Sequence, residues 1–136
     1  MGINVGRVVR QWALRAPERL AVTFGEASLT YGALDARARR AAAQLEDAGL
    51  VPGDRVALCV PNGLGFLDAW FGALYAGLTV LPVPPMSAPA ELAHRLTHAR
   101  VKALVQSAHT SALAATVEVA HRFDADALAQ HGREST

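Results

Sequence analysis

The chain has 136 residues, 51 % of them hydrophobic, with 13 Lys and Arg against 12 Asp and Glu and a formal net charge of +1. Such a length suits one domain that buries roughly 65–70 % of its unfolded surface. The balanced charge, with no run of like charge longer than Arg39-Arg40, excludes the electrostatic footprint expected of nucleic-acid or anionic-membrane binding.

Cys59 is the only cysteine, which rules out an internal disulfide or a thiolate metal cluster and points to a reducing cytoplasm. Arg7, Arg10 and Arg15 break up the apolar residues near the start, so a secretory leader is not expected. The run from Leu64 to Val83 carries only Asp68 as a charge and has the length of a membrane span. An aspartate would cost about 2.5–3.5 kcal/mol near a bilayer centre. Gly72, Gly77 and Pro82 also cut the run into a helix and a strand, so a soluble reading is preferred.

In chain order, Val5, Val8, Val9, Trp12, Ala13 and Ala16 recur at helical spacing, and Pro17 ends that first helix. Leu20 to Phe24 and Ala27 to Thr30 read as a hairpin turning at Gly25-Glu26. Thr30 is placed to N-cap a helix whose buried stripe is Leu34, Ala38, Ala41, Ala42, Leu45 and Ala48. Asp35, Arg37, Arg39, Arg40, Gln44 and Glu46 are expected to face water, with Gly49 as the left-handed cap. After the Pro52-Gly53-Asp54 turn, Arg55 to Val60 is apolar without alternation, the mark of a strand inside a parallel sheet. Phe66 to Tyr75 reads as a helix capped by Gly77, Thr79 to Val83 as a strand, Pro89 to Ala99 as a helix and Lys102 to Gln106 as a strand. One further helix is expected over Ser111 to His121, and a frayed tail from His131 to Thr136. Alternating strands and helices predict an α/β fold: an open, mainly parallel sheet with crossover helices on both faces, behind a short N-terminal hairpin.

Residue groups that could carry chemistry are sparse. Gly63-Leu64-Gly65 lies between a strand and a helix, where a dinucleotide loop would sit, but Asp68 stands where the third glycine is needed. Simple turn glycines are the preferred reading. The only lysine, Lys102, has no phosphate-loop spacing around it and is expected to flank a strand end. His94 and His98 are four apart on one helix, a spacing that suits a shared metal, yet without a third ligand they read as solvated histidines. Cys59 reads as a small buried hydrophobe rather than a nucleophile. Trp70, Phe71 and Tyr75 read as core or interface residues, and Arg37, Arg39 and Arg40 as a solvated helix face.

Three segments carry a family resemblance. Ala16-Pro17-Glu18-Arg19-Leu20-Ala21-Val22 resembles the opening segment of the adenylate-forming ligases, and Leu29-Thr30-Tyr31-Gly32-Ala33-Leu34 their first core motif, L-T-Y-x-E-L. Leu74-Tyr75-Ala76-Gly77-Leu78-Thr79-Val80-Leu81-Pro82 resembles the second, a helix end running into a strand. Ala33 replaces the glutamate of the first motif, leaving only the Thr30 half of a capping box. Pro84-Pro85 is similar to members that activate long acyl chains. The resemblance runs from about Val5 to Gln106 and marks the chain as a partial amino-terminal subdomain, residues 1–136, of a larger ligase of the acyl-CoA synthetase or fatty acyl-AMP ligase type.

That family joins a carboxylate to ATP, with magnesium, and passes the acyl group to a thiol. The resemblance implies that its phosphate loop, magnesium ligand, ribose aspartate and mobile lysine lie downstream, so no catalytic, cofactor-binding or metal-binding residue is assigned. The chain is expected to be inactive alone and to bind no cofactor by itself. The missing remainder of the ligase, or an oligomeric partner, is expected to meet apolar surface near Trp70 and Phe71. An interaction module and an independent small α/β binding domain are the alternatives.

Overall fold

Proline and glycine punctuation sets the first third of the fold in the computed structural model, which describes residues 5–130. Helix α1 (Gly6–Arg15) buries Gly6, Val9 and Ala13 and stops at Ala16, just before Pro17. The chain then turns tightly: Gly32 N donates to Pro17 O at 2.9 Å. A Cβ at Gly32 would lie 3.1 Å from that oxygen, which explains the glycine there. Trp12 stacks on Tyr31 at 5.8 Å, and Arg19 lies 5.0 Å over the indole, so the corner closes around a cation–π contact. Strands β1 (Leu20–Phe24) and β2 (Ala27–Thr30) form the expected antiparallel hairpin. Ala33 N donates to Thr30 Oγ1 at 3.1 Å, the N-cap of α2 (Tyr31–Asp47).

The remaining elements are β3 (Arg55–Leu58), α3 (Leu64–Tyr75), β4 (Thr79–Pro82), α4 (Pro89–His98), β5 (Ala103–Gln106), α5 (Ser111–Ala114) and β6 (His121–Asp124). Among the described residues these strands make one four-stranded sheet in the order β4-β3-β5-β6, with every pairing parallel. On one face, Val56, Leu58, Ala103 and Val105 pack against Ala41, Ala42 and Leu45 of α2 and Ala69 and Ala73 of α3. On the other, Ala57, Cys59 and Leu104 meet Leu92 and Leu96 of α4 with Ala114 and Val117. After the exposed Arg55, strand β3 is apolar because both of its faces are covered. The step from β3 to β4 goes over the first face, and the opposite step from β4 to β5 goes over the second. The two crossovers therefore share one hand, as parallel sheets require.

Helices α2 and α3 sit very close. A Cβ placed on Gly72 would lie 2.5 Å from Ala41 Cβ, so the glycine is required by proximity rather than by a turn.

Several expectations need correction. The helix expected over Ser111 to His121 ends at Ala114, and β6 follows, held to β5 from Ala103↔His121 to Gln106↔Asp124. Arg122 secures this change by donating to Ala114 O at 2.6 Å and to Val117 O. Ala48 is half-buried rather than part of the buried stripe. Asp35 is buried at 3 % exposure, and Arg37, Arg39 and Arg40 are half-buried, so this part of α2 is not a solvated face. The expected tail, 131–136, lies outside the described residues.

Candidate functional site

Open α/β sheets take ligands beyond the carboxyl ends of their strands, where the strand order reverses. Here that point lies between β3 and β5. Thr110 Oγ1 donates to Cys59 O at 2.6 Å and accepts from Ser107 N at 3.0 Å, tying the ends of the two strands together. Both Ser107 and Thr110 are buried. Cys59 is buried too, and desolvation raises its thiol pKa above the ordinary 9.0, the opposite of what a thiolate nucleophile needs.

Of the glycine pair at the start of α3, Gly63 takes a φ of 156° with open space around it, whereas Gly65 has a packing explanation. A Cβ on Gly65 would sit 3.2 Å from Asp126 Oδ1 and 3.3 Å from Ala125 Cβ, so the helix start is pressed against the segment after β6. Asp68, where a dinucleotide loop would have glycine, is 2 % exposed and accepts from Arg37 Nε at 2.8 Å and Nη2 at 2.7 Å. This two-pronged bond raises the guanidinium pKa of Arg37 above its usual value, against the opposing effect of burial.

Asp35 is the hub of a second polar group. Its carboxylate accepts from Arg10 Nη1 at 2.7 Å, Arg39 Nε at 3.0 Å and Tyr75 Oη at 2.7 Å, joining α1, α2 and α3. Burial, then the hydrogen bond and charge of Asp35, raise the Tyr75 pKa well above that of free tyrosine. Arg40 Nε donates to Ala129 O and Gln44 Nε2 to Leu128 O, each at 2.7 Å, so α2 also holds the segment following β6. The arginine-rich face is thus a fastening surface. Asp35–Arg39 was legible as an i,i+4 pair. The other partners are 25 to 40 residues from their acids and leave no local signal.

At the amino edge of the sheet, Lys102 Nζ lies 3.0 Å from Asp54 Oδ1, as expected of a lysine flanking a strand end. These two border a surface depression of 490 Å³ with Gly53, Arg55, His98 and Arg100. His94 and His98 are exposed on α4 with their rings stacked at 5.8 Å. Trp70 and Phe71 are half-buried, and Trp70 stacks on Phe66 at 5.7 Å. Among the described residues, the large apolar ones most open to solvent are elsewhere: Val5, Val8, Leu14, Leu20, Val51 and Met86.

No group of three His, Cys, Asp or Glu able to hold a metal occurs among the described residues. Asp35 and Asp68 are bonded to arginines, and the one lysine is paired at the edge opposite the strand carboxyl ends. These residues do not fit a magnesium–triphosphate group. No described helix is long and apolar enough to cross a membrane.

A hairpin leading into a parallel sheet covered on both faces is the architecture of the amino-terminal subdomain of adenylate-forming ligases. The structure superposes on the N-terminal domain of FACL13 from Mycobacterium tuberculosis with a TM-score of 0.85 and 27 % identity, covering 95 % of this chain and 36 % of that one. With a fatty acyl CoA synthetase of the same organism the TM-score is 0.83 at 28 % identity, covering 93 % and 27 %. The family described as AMP-binding enzyme matches residues 9–134, and the chain belongs to it.

Relatives include a salicyl-AMP ligase / salicyl-S-ArCP synthetase of Mycobacterium tuberculosis, 43 % identical over 98 residues, which are 68 % of this chain and 17 % of that protein. The long-chain-fatty-acid–AMP ligase FadD32 of Mycolicibacterium smegmatis is 34 % identical over 128 residues, 88 % of this chain and 19 % of its own length. The chain therefore corresponds to a small part of these ligases, under one fifth of the length of each of these two relatives.

Proposed function

We propose that this chain is the amino-terminal scaffold of an ATP-dependent ligase that activates a fatty acid as its acyl-adenylate and then transfers it to a thiol, and that it is inactive by itself. The observation that supports this most is the family match across residues 9–134 on a sheet whose polar groups are bonded to one another. In this reading the chain supplies the sheet and its covering helices. ATP and magnesium would be gripped by groups outside the described residues, in a longer form of the chain or in a partner that docks near the half-buried Trp70 and Phe71. A fatty acid is preferred over an aromatic or amino acid because FadD32 aligns over 128 residues, more than the 98 of the salicyl-AMP ligase. A cytoplasmic setting belongs to the same proposal, since the parent enzyme would draw on ATP and keep Cys59 reduced.

Acid-dependent ATP–pyrophosphate exchange tests this. The chain alone is expected to give no exchange, and the chain joined to a polypeptide carrying the phosphate loop and mobile lysine is expected to exchange with fatty acids. Exchange by the chain alone would overturn the scaffold reading. Exchange of the assembled enzyme with salicylate or amino acids, but not fatty acids, would overturn the acid class.

A further inference from the structure

We propose that His94 and His98 form a two-point chelating site for a divalent transition-metal ion of the zinc, nickel and copper class on the outer face of α4. Both residues are exposed, and their imidazole planes lie 18° from parallel with centroids 5.8 Å apart. Leu92 and Leu96, buried beneath the same helix, fix its rotation so that the two histidines stay on one outward face.

The donor chemistry fits this class of ion. Imidazole nitrogens bind such metals at about 2.0–2.1 Å, so two donors sharing an ion at a right angle stand about 3 Å apart. Rotation of these exposed side chains would have to bring one nitrogen of each ring to that separation, and no hydrogen bond among the described residues holds either ring back. Arg95, which lies between them in sequence, is drawn toward Glu91, with 3.2 Å between Nη2 and Oε1. The other charged groups near the site are Asp54, Arg55, Arg100 and Lys102, which border the depression that His98 also lines. No third protein ligand is present among the described residues, so water would complete the coordination. The bound ion would then exchange readily, unlike a resident structural zinc.

The chelate also affects folding. The helical turn holds the two histidines on one side for a shared ion, so the metal binds folded α4 more tightly than the unfolded chain. Because α4 covers the second face of the sheet, metal should raise the melting temperature of the whole unit.

The test is titration of the tag-free chain with zinc, nickel or copper ions, followed by calorimetry, melting temperature and imidazole NMR signals. One ion per chain is expected, with the His94 and His98 signals shifting together and an upward shift in melting temperature. Copper should bind tightest, following the usual order for nitrogen ligands. His94→Gln or His98→Gln should each weaken binding about a hundredfold, the lower end of the loss expected when a two-point attachment becomes single-point. Both should abolish the melting shift, while His109→Gln should leave both readouts unchanged. Since both side chains are exposed, neither substitution threatens the fold. Absence of saturable binding up to millimolar metal, or binding that survives either substitution undiminished, would overturn the proposal.

Discussion

Replacing Gly72 with alanine tests the packing of α2 against α3 where it is tightest. The new Cβ would start 2.5 Å from Ala41 Cβ and 3.3 Å from both Ala41 C and Ala42 N. Carbon atoms pack comfortably at about 3.5–4.0 Å, so the helices would have to part by roughly 1 Å. The obstructing atoms belong to a helix backbone and a methyl group, neither of which can rotate away. Overpacking of this kind costs about 1–3 kcal/mol, with this site at the upper end. Alanine offsets about 1 kcal/mol of that through its better helix propensity. Gly72→Ala should therefore destabilise by about 1–2 kcal/mol, although the same change in an exposed helix stabilises. In an Ala41→Gly background the nearest obstacle is gone, and Gly72→Ala should become neutral or stabilising by up to about 1 kcal/mol. Urea unfolding followed by circular dichroism gives the four stabilities of the cycle. A Gly72→Ala protein at least as stable as the wild type, or single effects that add to within about 0.5 kcal/mol, would refute the close approach.

Other substitutions test other contacts. Asp68→Ala leaves the Arg37 guanidinium without its partner and should cost about 2–4 kcal/mol by the same unfolding measurement; the double change Arg37→Met, Asp68→Leu should recover most of that, because an apolar pair replaces a buried ionic one. Thr30→Ala removes the cap on α2 and should cost about 1 kcal/mol. Asp54 has its pKa held below the ordinary 3.8 by the Val51 N–H and then by Lys102, so its contribution is complete above that value and is lost as pH falls through the lowered one. The stability gap between wild type and Asp54→Asn should thus be present at neutral pH and close on acidification in a pH series of unfolding curves. Cys59 should resist a thiol-labelling dye at mildly alkaline pH in the folded chain and react fully in denaturant; rapid labelling of the native state would contradict its burial.

The elements that were legible in the sequence share a trait: their ends carry a residue with a mechanical reason to be there. Thr30 caps α2, Gly49 and Gly77 take the left-handed φ of 99° and 77°, and Pro89 opens α4. Strand β6 has no such marker. His121 to Asp124 is four residues long and offers only Phe123 to the core, and the alanines before it mimic a continuing helix. Thr116, Val117 and Val119 were the available hint, since branched residues weaken helix formation, yet only tertiary pairing to β5 makes the segment a strand. The buried carboxylates were missed for a different reason. Periodicity shows which face of α2 holds Asp35, but not that Arg10 and Tyr75, 25 and 40 residues away, will satisfy it.

That same bonding separates this chain's fold from its chemistry. Catalytic groups must keep a free valence aimed at substrate, and a parallel sheet ordinarily presents such groups beyond its strand carboxyl ends. Here Thr110 bridges Cys59 O and Ser107 N at that position, and on the helices covering the sheet Asp68 is held by Arg37 while Asp35 receives two guanidiniums and a phenol. Each of these bonds lowers the energy of the scaffold and removes a candidate from catalysis. Two motifs resembling a ligase can therefore occur in a chain whose described side chains do not fit magnesium and triphosphate. Leu29 to Leu34 turns the hairpin into α2, and Leu74 to Pro82 carries α3 into β4, so both motifs build the platform.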